Sequence, residues 1–204
     1  MTVVRRSMLF TPANVRRFVE GVWKHSPDMV VLDLEDSVAP DEKQSARAMV
    51  RDSIPLAARG GAEVAVRVNS DTVSDDCNAA IWPGLCAVVL PKAETQEQIA
   101  TLGALLTRLE AERDLPPMSV EIMPMIESAI GVQNAYDIAS ASGRIKSFGV
   151  LGEADLTANL GASFDALQTH DVLAYPRGEV GLAARALGLM VNGRSWTSGK
   201  ATIA

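Results

Sequence analysis

A (β/α)8-type TIM barrel, truncated or incomplete after its seventh strand, is the α/β fold this 204-residue chain predicts. Three observations point there. Short apolar runs alternate with amphipathic stretches, the pattern of βαβ units and a parallel sheet. The runs are apolar almost throughout, as strands buried on both faces are. No glycine-rich nucleotide turn follows the first run, as an open dinucleotide-binding sheet would require. Such barrels typically take ~250 residues, with ~200 at the lower edge, and only residues 193–204 follow the seventh run. The expectation is a single domain over residues 1–204 whose barrel is shortened relative to a longer ancestor, open at one seam, or completed by another chain.

The elements follow in order. Residues 7–12 form the first strand, stopped by Pro12, which has no N–H for a ladder. Asn14 suits the N-cap of a helix over 15–24, with Phe18, Val22 and Trp23 on one face. Residues 29–34 are the second strand, apolar except for Asp33, leading into Glu35 and Asp36. Pro40 opens a helix over 40–54 whose first turn carries Asp41 and Glu42, both suited to the positive end of the helix. The third strand, 63–69, alternates and puts Arg67 near its carboxyl end. Residues 70–83 are polar, then weakly helical. The fourth strand, 85–90, halts at Pro91 with Lys92 next, and Thr95 with Gln98 makes a capping box for a helix reaching Arg113.

Residues 120–127 are the fifth strand, ending on Glu127, with a helix over 132–140 behind it. The sixth apolar run, 147–155, closes on Asp155. A helix over 180–187 precedes a seventh strand at 189–192.

Composition narrows the function classes. Hydrophobic residues make up 48% and aromatics 4%, so the core must be aliphatic. A net charge of −6 with only two basic pairs, Arg5-Arg6 and Arg16-Arg17, excludes a nucleic-acid footprint, though such a pair suffices for one phosphorylated ligand. Cys77 and Cys86 lack disulfide-framework or zinc spacing and read as free thiols. No signal sequence or membrane-spanning run is present in the sequence, so a soluble, cytoplasmic protein is expected.

The chemistry concentrates at the carboxyl ends of the strands, where barrels carry their sites. Glu127 and Asp155 follow neighbouring strands and supply oxygen ligands for a hard divalent cation, Mg²⁺ before Ca²⁺ or Mn²⁺. Arg67 is suited to a carboxylate or oxyanion; pairing with Glu63 or a rim acid is the structural alternative. Glu35 and Asp36 read either as partners orienting Arg67 or as helix caps. Lys92 has no mark of a desolvated Schiff-base lysine. His25 and His170 read as surface or capping residues, and no serine-hydrolase elbow is present.

Several motifs in order, Arg6-Ser-Met-Leu-Phe-Thr-Pro12, Leu32-Asp-Leu-Glu-Asp-Ser-Val-Ala-Pro-Asp-Glu-Lys43 with Ala46-Arg47, Val66-Arg-Val-Asn69, Leu90-Pro-Lys92, Met125-Ile-Glu-Ser-Ala-Ile-Gly131 and Gly152-Glu-Ala-Asp-Leu156, resemble the citrate lyase β-subunit-like branch of the HpcH/HpaI aldolase/citrate lyase family, over about residues 5–190. The resemblance implies a TIM barrel, a Mg²⁺ cofactor, and cleavage or formation of a C–C bond in a 3-hydroxyacyl-CoA thioester, giving an oxo acid and an acyl-CoA. By motif position it implies Glu127 and Asp155 as metal ligands and Arg67, Glu127 and Asp155 as catalytic residues. It further implies Arg67 and Glu127 as substrate contacts, with Phe10 and Thr11 near the CoA chain. It also implies a homo-oligomer, a trimer or hexamer. The likeness departs after about Met190: Asn192 stands where the family carries an aspartate, and Gly199-Lys-Ala-Thr-Ile203 echoes a later family motif without its His-Pro. Two other functions stay open, a catalytically silent accessory or binding homologue and a CoA-independent class II pyruvate aldolase.

Overall fold

The computed structural model describes residues 5–148, 150–162 and 171–191. Its strands are β1 (Met8–Pro12), β2 (Met29–Asp33), β3 (Glu63–Arg67), β4 (Leu85–Leu90), β5 (Glu121–Ile126), β6 (Ser147–Phe148), β7 (Val150–Leu151) and β8 (Met190–Val191). Every pairing is parallel: β1-β2-β3-β4-β5-β7 make one sheet, and β6 pairs with β8. The expected sixth strand is thus two short pieces, one holding β5 and the other β8. Seven consecutive strand positions result, and β1 and β8 do not pair among the described residues. The architecture is the TIM-barrel-type α/β fold.

The helices are α1 (Arg16–Gly21), α2 (Lys43–Ala57), α3 (Val73–Ala80), α4 (Gln96–Glu112), α5 (Ala129–Gln133), α6 (Ala135–Ser140), α7 (Glu153–Asn159) and α8 (Ala174–Ala186). Several differ from the sequence expectation for local reasons. Asn14 is not an N-cap: Val15 holds that place without a side-chain bond, and the Asn14 amide instead donates to Glu42 at 2.8 Å. The first helix tightens after Gly21 into a 3-10 turn over Val22–His25, which leaves His25 at its end. The capping box of Thr95 and Gln98 forms as expected and launches the 17-residue α4. Asn134 divides the expected helix over 132–140 into α5 and α6, and α8 begins six residues earlier than its periodicity suggested. The Asn192, His170 and 199–203 expectations lie outside the described residues.

The period of two sorts each strand between two cores. Val30, Leu32, Val64, Val66, Val88, Ile122 and Ile126 face the helices and join the large outer core with Leu102, Leu106 and Leu109 of α4. The opposite parity, Met29, Val31, Ala65, Ala87, Val89, Met123 and Met125, fills the barrel interior. Burying each such aliphatic side chain contributes roughly 1.5–3 kcal/mol, which makes these two aliphatic layers the main support of the fold. Continuing the inner parity to the strand ends puts charge at both: Glu63 and Glu121 at the floor, Asp33, Arg67 and Glu127 at the mouth.

At the floor Arg5 reaches across β4. Its guanidinium forks onto Glu63 (2.7 and 3.1 Å) and Glu121 (2.6 and 3.1 Å), and only 2% of the side chain is exposed. Arg6 pairs with Asp28. The first basic pair is therefore committed to carboxylates of its own chain, which corrects its reading as a phosphate holder. Cys77 and Cys86 are free thiols, as expected. Among the described residues no helix is long and apolar enough to cross a membrane.

Candidate metal and anion site at the barrel mouth

The mouth is assembled around Arg67, the last residue of β3. Burial would weaken its charge, but Asp33, Glu35 and Asp36 outweigh that and hold it firmly protonated. Nε and Nη2 fork onto the two oxygens of Asp33 at 2.7 and 2.6 Å. The parallel register sets Asp33 directly beside Arg67, so the pairing is built by neighbouring strands and not by a loop. Asp33 is 1% exposed, and its carboxylate also accepts from the Glu35 and Ser37 N–H groups and the Ser37 hydroxyl. Burial opposes ionisation of Asp33, and Arg67 overcomes it, so its pKa is lowered. The sequence noted Asp33 as the polar residue in an apolar strand without giving it a role; its inward parity was the available signal. The alternative partner, Glu63, is at the opposite end of the barrel with Arg5.

The other edge of Arg67 faces two more acids. Nη1 donates to Asp36 Oδ2 at 3.0 Å and lies 3.0 Å from Glu35 Oε2. That Glu35 oxygen is buried and out of hydrogen-bond alignment with any donor. Burial raises the Glu35 pKa, with Arg67 opposing and Asp36 adding to the rise. Glu35 and Asp36 therefore both contact Arg67 and are not helix caps. The Phe10 ring, from β1, lies 5.2 Å from the guanidinium carbon and covers it as a cation–π partner, while Thr11 is buried.

Lys43, in α2, ties this rim down. Its ammonium donates to the carbonyls of Leu34 and Glu35 at 2.8 and 2.6 Å and to Asn69 Oδ1 at 2.7 Å. Asn69 in turn donates to Leu34 O and to the fully buried Asp76, which also holds Arg47. The 32–47 block thus closes on itself as one hydrogen-bonded corner between β2 and β3.

Glu127 follows β5 and is 4% exposed. Burial pushes its carboxyl up to about 7, aided by Glu35 and Asp155, while the Lys92 N–H at 3.0 Å opposes the rise. Lys92 has φ +51, a conformation disfavoured for any residue with a Cβ, and that turn is what aims its N–H at Glu127. Its ammonium, 54% exposed, sits 3.3 Å from Glu35, consistent with an ion pair and not with a desolvated Schiff-base lysine.

Asp155 is placed differently from expectation. The strand ends at Leu151, and Asp155 is an exposed residue in the first turn of α7, not a strand terminus. Gly152 makes the approach possible: a Cβ there would overlap the Glu127 carboxylate. Arg177 of α8 steadies this turn through Glu153 at 3.0 Å.

The donors suit a hard cation. Asp155 is an acidic neighbour that raises the cost of ionising Glu127, and Glu35 adds a buried oxygen without a hydrogen bond. Among the described residues no cluster of three or more His, Cys, Asp or Glu is preassembled for a metal. Two carboxylates with the remaining positions left to water or ligand is the arrangement Mg²⁺ favours. Asp33, Glu35 and Asp36 face Arg67, Glu35 also faces Lys92, and Asp155 lies close enough to Glu127 to raise its pKa.

Several known proteins are similar to this chain. Residues 6–197 match the HpcH/HpaI aldolase/citrate lyase family. The chain is 34% identical over 194 residues to citrate lyase subunit beta of Leuconostoc mesenteroides subsp. cremoris, covering 91% of this chain and 62% of that protein. It is 33% identical over 165 residues to L-malyl-CoA/beta-methylmalyl-CoA lyase of Cereibacter sphaeroides, covering 76% and 50%. Among solved structures, it resembles the citrate lyase beta subunit complexed with oxaloacetate and magnesium from M. tuberculosis. The TM-score is 0.66 and the identity 28%, over 91% of this chain and 76% of that one. CitE of M. tuberculosis in complex with magnesium, acetoacetate and coenzyme A gives a TM-score of 0.65 at 28% identity, over 92% and 66%. The chain spans about 55–62% of the length of the citrate lyase beta subunits it matches. On the extent of these matches, the chain belongs to the HpcH/HpaI aldolase/citrate lyase family.

Proposed function

We propose that this chain is a Mg²⁺-dependent carbon–carbon lyase that cleaves, or forms, a 3-hydroxyacyl-CoA thioester, with an oxo acid and an acyl-CoA on the other side of the reaction. The observation carrying the reading is the packing of Glu127 against Gly152 at the head of α7, the helix that bears Asp155, opposite an arginine held by Asp33. The reading is supported by similar proteins, which include a citrate lyase subunit and a malyl-CoA lyase, and by solved neighbours that hold magnesium with an oxo acid or coenzyme A.

In this reading Glu127 and Asp155 hold the cation. When bound, Mg²⁺ supplies Lewis-acid polarisation of substrate oxygens and a template for chelation. In the cleavage direction the substrate hydroxyl loses its proton and its O–C bond becomes a carbonyl. The adjacent C–C bond breaks, and its electron pair leaves on the thioester fragment as an enolate, which is then protonated on carbon. Arg67 faces the developing negative charge with donors preorganised by Asp33, so no reorganisation is required at the moment of cleavage. Phe10 covers the guanidinium on the side where, with Thr11, it would border the CoA chain.

The test is Mg²⁺-dependent thioester cleavage across a panel of 3-hydroxyacyl-CoA substrates, together with calorimetric Mg²⁺ binding. Glu127→Ala and Asp155→Ala are each expected to weaken Mg²⁺ binding and to slow cleavage at least about a hundredfold. Undiminished cleavage in both variants would sink the metal assignment. Binding of CoA without any thioester product would instead favour a silent accessory subunit.

A further inference from the structure

Arg67 is held by two kinds of carboxylate, and the asymmetry between them has a consequence for ligand binding. One edge of the guanidinium is committed. Asp33 is almost fully buried, takes both Nε and Nη2, and is itself fixed by three further hydrogen bonds from Glu35 and Ser37. The other edge is guarded loosely. Two acids share Nη1: the buried Glu35 Oε2 lies 3.0 Å away without an aligned hydrogen bond, whereas Asp36, its side chain 60% exposed, accepts the Nη1 hydrogen bond at 3.0 Å. A bidentate, buried carboxylate is costly to remove, whereas an exposed single contact of this kind is worth roughly 0–1 kcal/mol. Nη1 is also the part of Arg67 that points away from the Asp33 strand toward the acids of the rim, where an incoming ligand oxygen would arrive.

We infer that Asp36 tunes ligand affinity: its carboxylate takes the hydrogen bond of the ligand-facing edge of Arg67 and must be displaced by the carboxylate or oxyanion of the substrate. It is an internal competitor, standing in for the ligand while the mouth is open to water. Any anion that takes Nη1 must first displace this tethered carboxylate, which lowers the affinity of the site for each of them by the same contact. The inference rests on the reading of Arg67 as the anion-binding residue under the proposed function.

Calorimetric titration of oxaloacetate in saturating Mg²⁺ separates the two ideas. Four proteins are compared: wild type, Asp36→Asn, Arg67→Met, and Asp71→Asn, which removes one charge from the exposed loop after β3. Asp36→Asn is expected to bind about two- to fivefold more tightly than wild type, the range an exposed pair supports. The gain for oxaloacetate, with two carboxylates, should be at least as large as for pyruvate, with one. Arg67→Met should lose binding. A gain for Asp71→Asn equal to that for Asp36→Asn would show a general field effect and overturn the inference. Asp36→Asn binding no tighter than wild type, with Arg67→Met impaired, overturns the inference but leaves the Arg67 reading standing. Unimpaired binding by Arg67→Met removes that reading, and the inference with it. No heat from either wild type or Asp36→Asn overturns both. Asp36 is mostly exposed, and thermal unfolding of each variant confirms that the comparison is made on folded protein.

Discussion

The barrel has an arginine among glutamates and aspartates at each end, and the two ends are built to opposite purposes. At the floor, charge is matched and closed off: Arg5 forks onto Glu63 and Glu121, while nearby Arg144 and Glu110 form a pair of which each side chain is 2% exposed. Every oxygen of Glu110 is used, by Arg144 and by the Met118 and Val120 N–H groups. At the mouth, acid is in excess, Glu127 is pushed up to about 7, one Glu35 oxygen accepts no hydrogen bond, and Lys92 sits in a disfavoured backbone conformation. Satisfied networks stabilise a fold; unsatisfied ones are tolerated where a ligand completes them. The same side-chain chemistry thus marks structure at one end and a candidate site at the other.

The largest effect should come from breaking the floor. Arg144→Met leaves Glu110 buried without its cation and should cost about 3–5 kcal/mol in denaturant unfolding. The pH profile gives a second readout. Burial raises the Glu110 pKa, but Arg144 and the backbone donors win and lower it below its ordinary 4.5. The wild-type contribution is therefore fully present above pH 4.5 and is lost as pH falls through the depressed value. In Arg144→Met the isolated carboxyl is raised instead, so its contribution should be lost as pH rises. An unchanged acid limb would refute the assignment of that stability to this pair.

A middle-sized effect should come from Gly152→Ala at the mouth. The added Cβ must displace the Glu127 carboxylate, with a stability cost of about 1–3 kcal/mol from overpacking. Calorimetric Mg²⁺ affinity should drop at least about tenfold, as when a ligand loses its supporting geometry. Unaltered Mg²⁺ binding would mean that Glu127 does not ligate the cation in that position.

The smallest effect carries the opposite sign. Lys92→Gly relieves the left-handed backbone and should raise stability by about 0.5 kcal/mol, even though Glu35 loses an ion-pair partner. A net loss in the unfolding midpoint would show that the Glu35 pair outweighs the backbone term.

Much of the mouth was legible in the chain. Arg67 ends an alternating third strand, Glu127 follows an apolar fifth run bounded by Ser-Ala-Ile-Gly, and the order of motifs announced the family later found over residues 6–197. The roles of Asp33 and Lys43 were not legible. Asp33 acts through the register between β2 and β3, and Lys43 through carbonyls of residues eight and nine positions away, neither of which periodicity reports. Asp155 was legible as a residue but not as a place, because a strand of two residues and the first turn of a helix share the same apolar signature.

By itself, then, the sequence determined the alternation of strands and helices, the aliphatic cores on either side of the sheet, and which residue types arrive at the strand ends. Those follow from local rules of period, capping and burial. Tertiary structure alone decided which acids became partners. Parallel pairing put Asp33 beside Arg67, the inward parity carried Glu63 and Glu121 to Arg5 at the far end, and the absence of a side chain at Gly152 let Glu127 meet the helix of Asp155. Charge pairing depends on distance in space, and distance in space is set by strand register and helix packing, which no single stretch of the chain contains.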